Sequence, residues 1–278
     1  MVGKLTGGPK TCMVQRIIFL KLGGSLITEK KQPATPRMEV LGRLAKEIAT
    51  AVRDQPGLGL VLGHGSGSFG HVPAQTYGTR QGVFTPVEWL GYAKVWRQAN
   101  ALNRLVMDAL LDEGLPVMSF APSAMVLARS GQVLRWEPSN LQRTVEKGLI
   151  PVVYGDVVFD QMLGGTILST EDLFDYLAPI FKPQRILLAG IEPGVWGDFP
   201  DCTHILPEIN SSNIGTFQPA LAGSVATDVT GGMASKVLQS LKLCQRITGL
   251  QVSIFSGEKP GVLEAALRGA YPGSRIQA

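Results

Sequence analysis

Cysteine is scarce in this chain and forms no pattern. Cys12, Cys202 and Cys244 are widely scattered and make no CxxC pair, which excludes a thiol-built metal site and a disulfide scaffold and fits a reducing cytoplasm. Charged residues are only 17% of the 278 and aromatics 7%, with no basic run, so the surface of a nucleic-acid binder is missing. No apolar stretch reaches the roughly 18 residues of a membrane span. Residues 1–15 are polar, without the apolar centre of a secretory signal, and read as a flexible tail; Met13 stands just before the first strand pattern. The Lys21-Leu22-Gly23-Gly24-Ser25 segment after the first strand is neither GxxxxGK[ST] nor GxGxxG, and the chain has no HExxH, no Ser-His-Asp order and no cysteine nucleophile with a partner. These absences argue against P-loop NTPases, dinucleotide enzymes, zinc proteases and triad hydrolases.

Glycine, by contrast, is plentiful: 33 residues, many of them placed where apolar runs end. Glycines at strand ends let bare backbone approach a ligand. Hydrophobic residues make up 45% of the chain, enough for a substantial core. The net charge of +4 suits small anionic substrates, although ordinary surface charge explains it equally well.

Short apolar runs alternate with stretches of helical period. Strands are predicted at residues 16–22, 58–62, 117–120, 150–154, 185–189 and 252–255. Helices are predicted at 37–53, 86–113 (with room for one break), 138–147, 169–181, 232–247 and 261–268. Ser169 is the expected N-cap of its helix, with acids in the first turn. Near-continuous apolar strands alternating with helices indicate a three-layer α/β/α sandwich around a mostly parallel sheet. Residues 16–278 read as a single domain whose two halves meet near residue 180.

Four segments carry the chemistry. Lys21-Leu22-Gly23-Gly24-Ser25 follows the first strand, with Lys30 a few residues on: backbone N–H groups and lysines together favour an anion. A tight turn beside a surface lysine explains this segment alone equally well. His64-Gly65-Ser66-Gly67-Ser68-Phe69-Gly70-His71 is predicted as a glycine loop able to wrap a phosphate, with His71 as a donor and His64 as a hydrogen-bonded loop residue. Gly155-Asp156 ends another strand, at the sheet edge where ligands bind, though a simple turn competes. Asp228-Val229-Thr230-Gly231-Gly232 leads into a helix carrying Lys236, which offers a helix N-terminus and a further cation. Together these groups suit phosphoryl transfer, in which positioning and charge neutralisation do most of the catalysis.

KLGGSLITEK, HGSGSFGH, YGDVVFD and DVTGGMASK, in that order from about residue 16 to the C-terminus, resemble the isopentenyl phosphate kinases of the amino acid kinase family. The resemblance implies ATP and Mg²⁺ as cofactors, an alkyl phosphate as acceptor, a cytoplasmic homodimer and a sheet of about eight strands. It implies catalytic roles for Lys21, Lys30, His71 and Lys236. Ser66, Gly67, His71, Gly155, Asp156 and Leu168 would hold the acceptor. Lys21, Gly23, Gly24, Ser25, Asp172, Ala189, Asp228, Gly231, Gly232 and Lys236 would serve the nucleotide, with Asp172 and Asp228 orienting lysines or magnesium; metal ligands stay unassigned. Trp89, Tyr92, Val95 and Trp96 are candidates to wall a five-carbon tail, or simply helix core. The chain departs from the family pattern at Gly190-Ile191-Glu192-Pro193-Gly194, where Thr-Asp-Val-Asp-Gly is usual. It departs again at Ser169-Thr170-Glu171-Asp172, where Ser-Gly-Asp-Asp is commoner. The rival readings are a same-fold kinase for another phosphate, phosphonate or carboxylate, and a non-catalytic nucleotide sensor.

Overall fold

The apolar run Arg16–Leu22 becomes β1, a central strand that the computed structural model, which describes residues 14–216 and 232–278, places between two parallel neighbours. These neighbours are β2 (Leu58–His64) and β9 (Arg185–Gly190). Beyond β2 lie β6 (Ile150–Tyr154) and the edge strand β3 (Val117–Ser119). Beyond β9 lie β11 (Gln251–Ser256), β12 (Ser274–Ile276) and β10 (Glu208–Ile209), so the eight-stranded order is β10-β12-β11-β9-β1-β2-β6-β3. Within this sheet, among the described residues, only the β11–β12 pairing is antiparallel.

Alternation along the strands divides the core into two layers. Phe19 and Val61 point to one face; Ile18, Leu20, Leu22, Leu60 and Leu62 point to the other. The first face is covered by α6 (Ser139–Glu146), α7 (Thr170–Phe181) and α8 (Gly232–Arg246). The second is covered by α2 (Met38–Arg53), α4 (Pro86–Asp112) and α9 (Val262–Leu267). The expected three-layer α/β/α sandwich is the observed one. Among the described residues no helix is long and apolar enough to cross a membrane.

Several predicted elements change. The glycine loop after β2 is mostly helix: α3 (Gly67–Tyr77) begins only two residues beyond the strand. Its glycines and Pro73 hide a helical period, and packing against α4 overrides their low propensity. The long helix α4 runs without a break from a capping box in which Thr85 and Glu88 satisfy each other's backbone.

A second sheet, ordered β5-β4-β7-β8, was not anticipated. It comprises β4 (Val126–Arg129), β5 (Gln132–Trp136), β7 (Asp156–Asp160) and β8 (Gly164–Leu168), preceded by the single turn α5 (Pro122–Met125). Its strands are four or five residues long, too short to give a clear period. Asp160 ties its two hairpin turns together. One carboxylate accepts from the N–H groups of Ser130 (3.0 Å), Gly131 (2.8 Å), Met162 (2.8 Å) and Leu163 (2.9 Å). Burial works to raise the Asp160 pKa, but these four donors hold it below the usual range. Its stabilisation is therefore present above the unfolded carboxylate's pKa of about 3.9 and is lost as pH falls through the lower folded value. Asp160→Ala is expected to remove about 2 kcal/mol in urea denaturation at neutral pH, because water takes over part of the bonding at surface turns. Below about pH 4 the gap to the natural sequence should narrow.

Candidate functional site

The chain leaves β1 for β2 in one direction and returns to β9 on the other side, so the strand order reverses at the centre of the sheet. The C-terminal ends of β1, β2 and β9 border the crevice this creates, where open α/β sheets bind ligands. Lys21 lies in register with Gly63 and Leu188, at the mouth of that crevice.

After β1 the backbone turns into a single helical turn, α1 (Gly24–Ile27). Gly23 donates its N–H to the Ala189 carbonyl at 2.7 Å. That bond gives Ala189, 2% exposed, a definite place: its carbonyl fixes the turn after β1 from the end of β9. Gly24 and Ser25 open the turn, and Gly24 meets α3 almost backbone to backbone. A Cβ on Gly24 would lie 2.3 Å from the Gly67 nitrogen, and one on Gly67 would lie 2.6 Å from the Gly24 carbonyl oxygen. Gly67 also has φ +49°, in the left-handed region. The first two glycine motifs are thus one interlocked structure.

Ser66 precedes α3, and His71 stands on its second turn. His64 has the structural place expected of it. It is fully buried, stacked on Tyr154 with ring centroids 5.3 Å apart, with Nε2 3.2 Å from Asn103 Oδ1 and Nδ1 3.1 Å from the Gly65 carbonyl. Burial, stronger than the pull of these two acceptors, holds its pKa below the ordinary value. The His64 carbonyl accepts from Gly155 N at 3.1 Å and from Thr170 Oγ1 at 2.6 Å, which ties β2 to the start of β7 and to α7. Gly155 consequently lies close to Ser66 and Ser169: a Cβ on it would be 3.9 Å from Ser66 N and from Ser169 Cα.

The lysines converge on a carboxylate that the sequence reading passed over. Lys21 Nζ forms an ion pair with Glu171 Oε2, both side chains being largely buried. Burial alone would raise the Glu171 pKa; the charges of Lys21 and then Lys236 outweigh it and keep the group below its usual range. Lys236 on α8 thus acts electrostatically on the same carboxylate as Lys21 on β1. Asp172, expected to orient lysines or magnesium, stands in the capping box of α7. It accepts from Ser169 N at 2.8 Å and Ser169 Oγ at 2.7 Å, and lies 3.7 Å from Arg80 Nη2. The Ser-x-x-Asp spacing was the available signal, since it commits the acid at the third helical position and leaves its neighbour Glu171 free.

The structure places two of the acceptor-side candidates in the interior. Asp156 is 1% exposed, and its carboxylate accepts from Ser123 N at 3.2 Å and its neighbour Val157 N at 2.9 Å. Burial pushes its pKa up to about 6. Leu168 is fully buried in the core beneath α7, so its side chain packs and only its backbone borders Gly155. Lys30 is exposed, on a loop closed by a 2.9 Å bond from Glu29 N to the Thr35 carbonyl. Asp228 and Gly231 lie outside the described residues, whereas Gly232 is the first residue of α8. In the segment that departs from the family pattern, Glu192 accepts from Trp196 Nε1 at 3.0 Å. Asp198 is engaged by Thr203 and His204, whose bonds draw its pKa down to about 2.

Beside α3 lies a small apolar nest. Ala74, Val83, Tyr92, Val95 and Val157 are buried there, with Trp89 packed against them. The Trp89, Tyr92 and Phe159 rings stand 5.2 to 5.8 Å apart. Trp96 is 46% exposed and belongs to no such cluster.

A sheet crevice with two backbone-rich turns and convergent lysines defines a phosphate-handling α/β enzyme, and a model of the amino acid kinase family matches residues 16–256. The chain belongs to that family. It is 35% identical to the isopentenyl phosphate kinase of Methanothermobacter thermautotrophicus over 273 residues, 94% of this chain and 98% of the relative. It is 31% identical to the enzyme of that name from Methanocaldococcus jannaschii, with the same coverage. A solved structure described as "X-ray structures of isopentenyl phosphate kinase" superposes with a TM-score of 0.79 at 31% identity, covering 94% of this chain and all of that one.

Proposed function

We propose that this chain is an ATP-dependent kinase that converts isopentenyl phosphate to isopentenyl diphosphate. The observation that carries the reading is the interlock of the Gly24 and Gly67 turns beside Lys21, which suits two phosphoryl groups held face to face. In this reading the half before residue 180 takes the acceptor and the half after it takes the nucleotide. An acceptor phosphate oxygen attacks the γ-phosphorus, the bond from that phosphorus to the β,γ-bridging oxygen breaks, and ADP leaves. The acceptor is already an anion, so no strong base is required; the barrier is repulsion between anions. Lys21 and Lys236 offset charge on the β- and γ-phosphates, and Lys30 follows the group in transfer. Gly23, Gly24 and Ser25 border it with backbone. Ser66, Gly67 and His71 hold the acceptor phosphate near Gly155, and the Tyr92–Val95 nest receives its tail. Among the described residues no three His, Cys, Asp or Glu side chains gather as a metal cage. A magnesium ion brought by the nucleotide would neutralise phosphate charge, with Asp172 and Asp228 the candidates to orient it.

The closest rival is another acceptor in the same site. Release of ADP with isopentenyl phosphate, dimethylallyl phosphate, geranyl phosphate, fosfomycin and glutamate, each offered in turn, decides between them. Fastest turnover with isopentenyl phosphate is expected; preference for any other acceptor overturns the substrate assignment. His71→Ala should lower kcat/KM for the acceptor phosphate by about 10²-fold with little change in the Kd of ATP. The homodimer implied by the family resemblance would be read by light scattering as twice the chain mass.

A further inference from the structure

The interlocked turns are held by one side chain outside the phosphate-facing set. Thr28, directly after α1, is 1% exposed. Its Oγ1 donates to the Gly24 carbonyl at 2.7 Å and accepts from Ser68 N on α3 at 3.0 Å. The hydroxyl thus bridges the turn beside the donor phosphates to the helix that carries His71. Its fit is close: a Cβ on Gly67 would lie 2.1 Å from Thr28 Oγ1. The far side of the same joint fastens the Lys30 loop. The Ser68 carbonyl accepts from Ala34 N at 3.2 Å and Ser68 Oγ accepts from Thr35 N at 3.4 Å. Residue 28 therefore begins a joint through which the donor turn, the acceptor helix and the Lys30 loop keep one spacing.

We infer that the Thr28 hydroxyl is a positioning group that sets the separation between the donor and acceptor phosphates. The inference rests on the kinase reading above. In-line transfer depends on that separation, and a misplacement of about 1 Å costs on the order of 10²-fold in rate. Each phosphate is gripped mainly by its own turn, so relaxing the joint should slow transfer without releasing either substrate.

Thr28→Val keeps the shape of the side chain and removes both hydrogen bonds; Thr28→Ser keeps the bonds and drops a methyl group. Steady-state kinetics with isopentenyl phosphate and ATP are compared with the Kd of isopentenyl phosphate and of a non-hydrolysable ATP analogue. For Thr28→Val, kcat is expected to fall at least ~10-fold with both Kd values little changed. Thr28→Ser should restore most of the rate. If Thr28→Val does not fold, Thr28→Cys, whose thiol is only a weak donor, should show the same split. A kcat within about twofold of the natural enzyme overturns the inference. So does a loss shared equally by both Kd values, or a loss that serine does not restore. A natural enzyme inert towards isopentenyl phosphate overturns the functional reading itself, and the inference with it.

Discussion

Lys21→Met is expected to lower kcat by about 10³-fold, the effect of removing a preorganised charge from a phosphoryl-transfer site. The methionine keeps much of the stem that packs at the end of β1 and removes only the ammonium. A second consequence follows from burial. Glu171, 11% exposed, would lose its Lys21 ion-pair partner and keep the favourable charge of Lys236. Breaking a buried ion pair costs about 3 kcal/mol, so the variant should also unfold earlier in urea. The two losses separate in the double variant Lys21→Met/Glu171→Gln. Neutralising the carboxylate should restore most of the stability and none of the rate. If the double variant regained activity, Lys21 would be a structural partner of Glu171 and nothing more.

Gly67→Ala should be nearly as damaging, for a steric reason. The backbone there has φ +49°, and the new methyl carbon would fall 2.1 Å from Thr28 Oγ1 and 2.6 Å from the Gly24 carbonyl oxygen. One obstacle is a buried side chain and the other is backbone, so relief requires the two turns to move apart. We expect kcat/KM to fall at least ~10²-fold, together with a lower Tm. Gly42→Ala is the control. Gly42 lies on α2 with nothing within 4 Å of the added carbon, so it should gain about 0.5 to 1 kcal/mol of stability and keep full activity. Equal tolerance at both positions would contradict the interlock.

The central strands were legible because a strand covered on both faces must be apolar along its whole length. Arg16–Leu22, Ile150–Tyr154 and Arg185–Gly190 therefore stood out. Glycine and lysine at strand ends pointed to the crevice for an equally local reason. The second sheet was hidden by its short strands, and helix α3 by the glycines and proline that weaken its period. Glu171 and Asp172 are adjacent acids, and only the phase set by Ser169 distinguishes the lysine partner from the cap. Thr28 was invisible for a deeper reason: its role depends on Ser68, forty residues away, meeting it in space. The segment from Gly190 to Gly194 replaces two carboxylates of the family pattern, and the nearby Glu192 and Asp198 bond within their own loop.

Phosphorus NMR of the purified protein with ATP, magnesium and isopentenyl phosphate tests the central claim most directly. The account predicts that the monophosphate resonance disappears and the coupled pair of a diphosphate ester grows in step with ADP, and that neither happens with Lys21→Met. Consumption of ATP with release of inorganic phosphate and an unchanged monophosphate signal would contradict it.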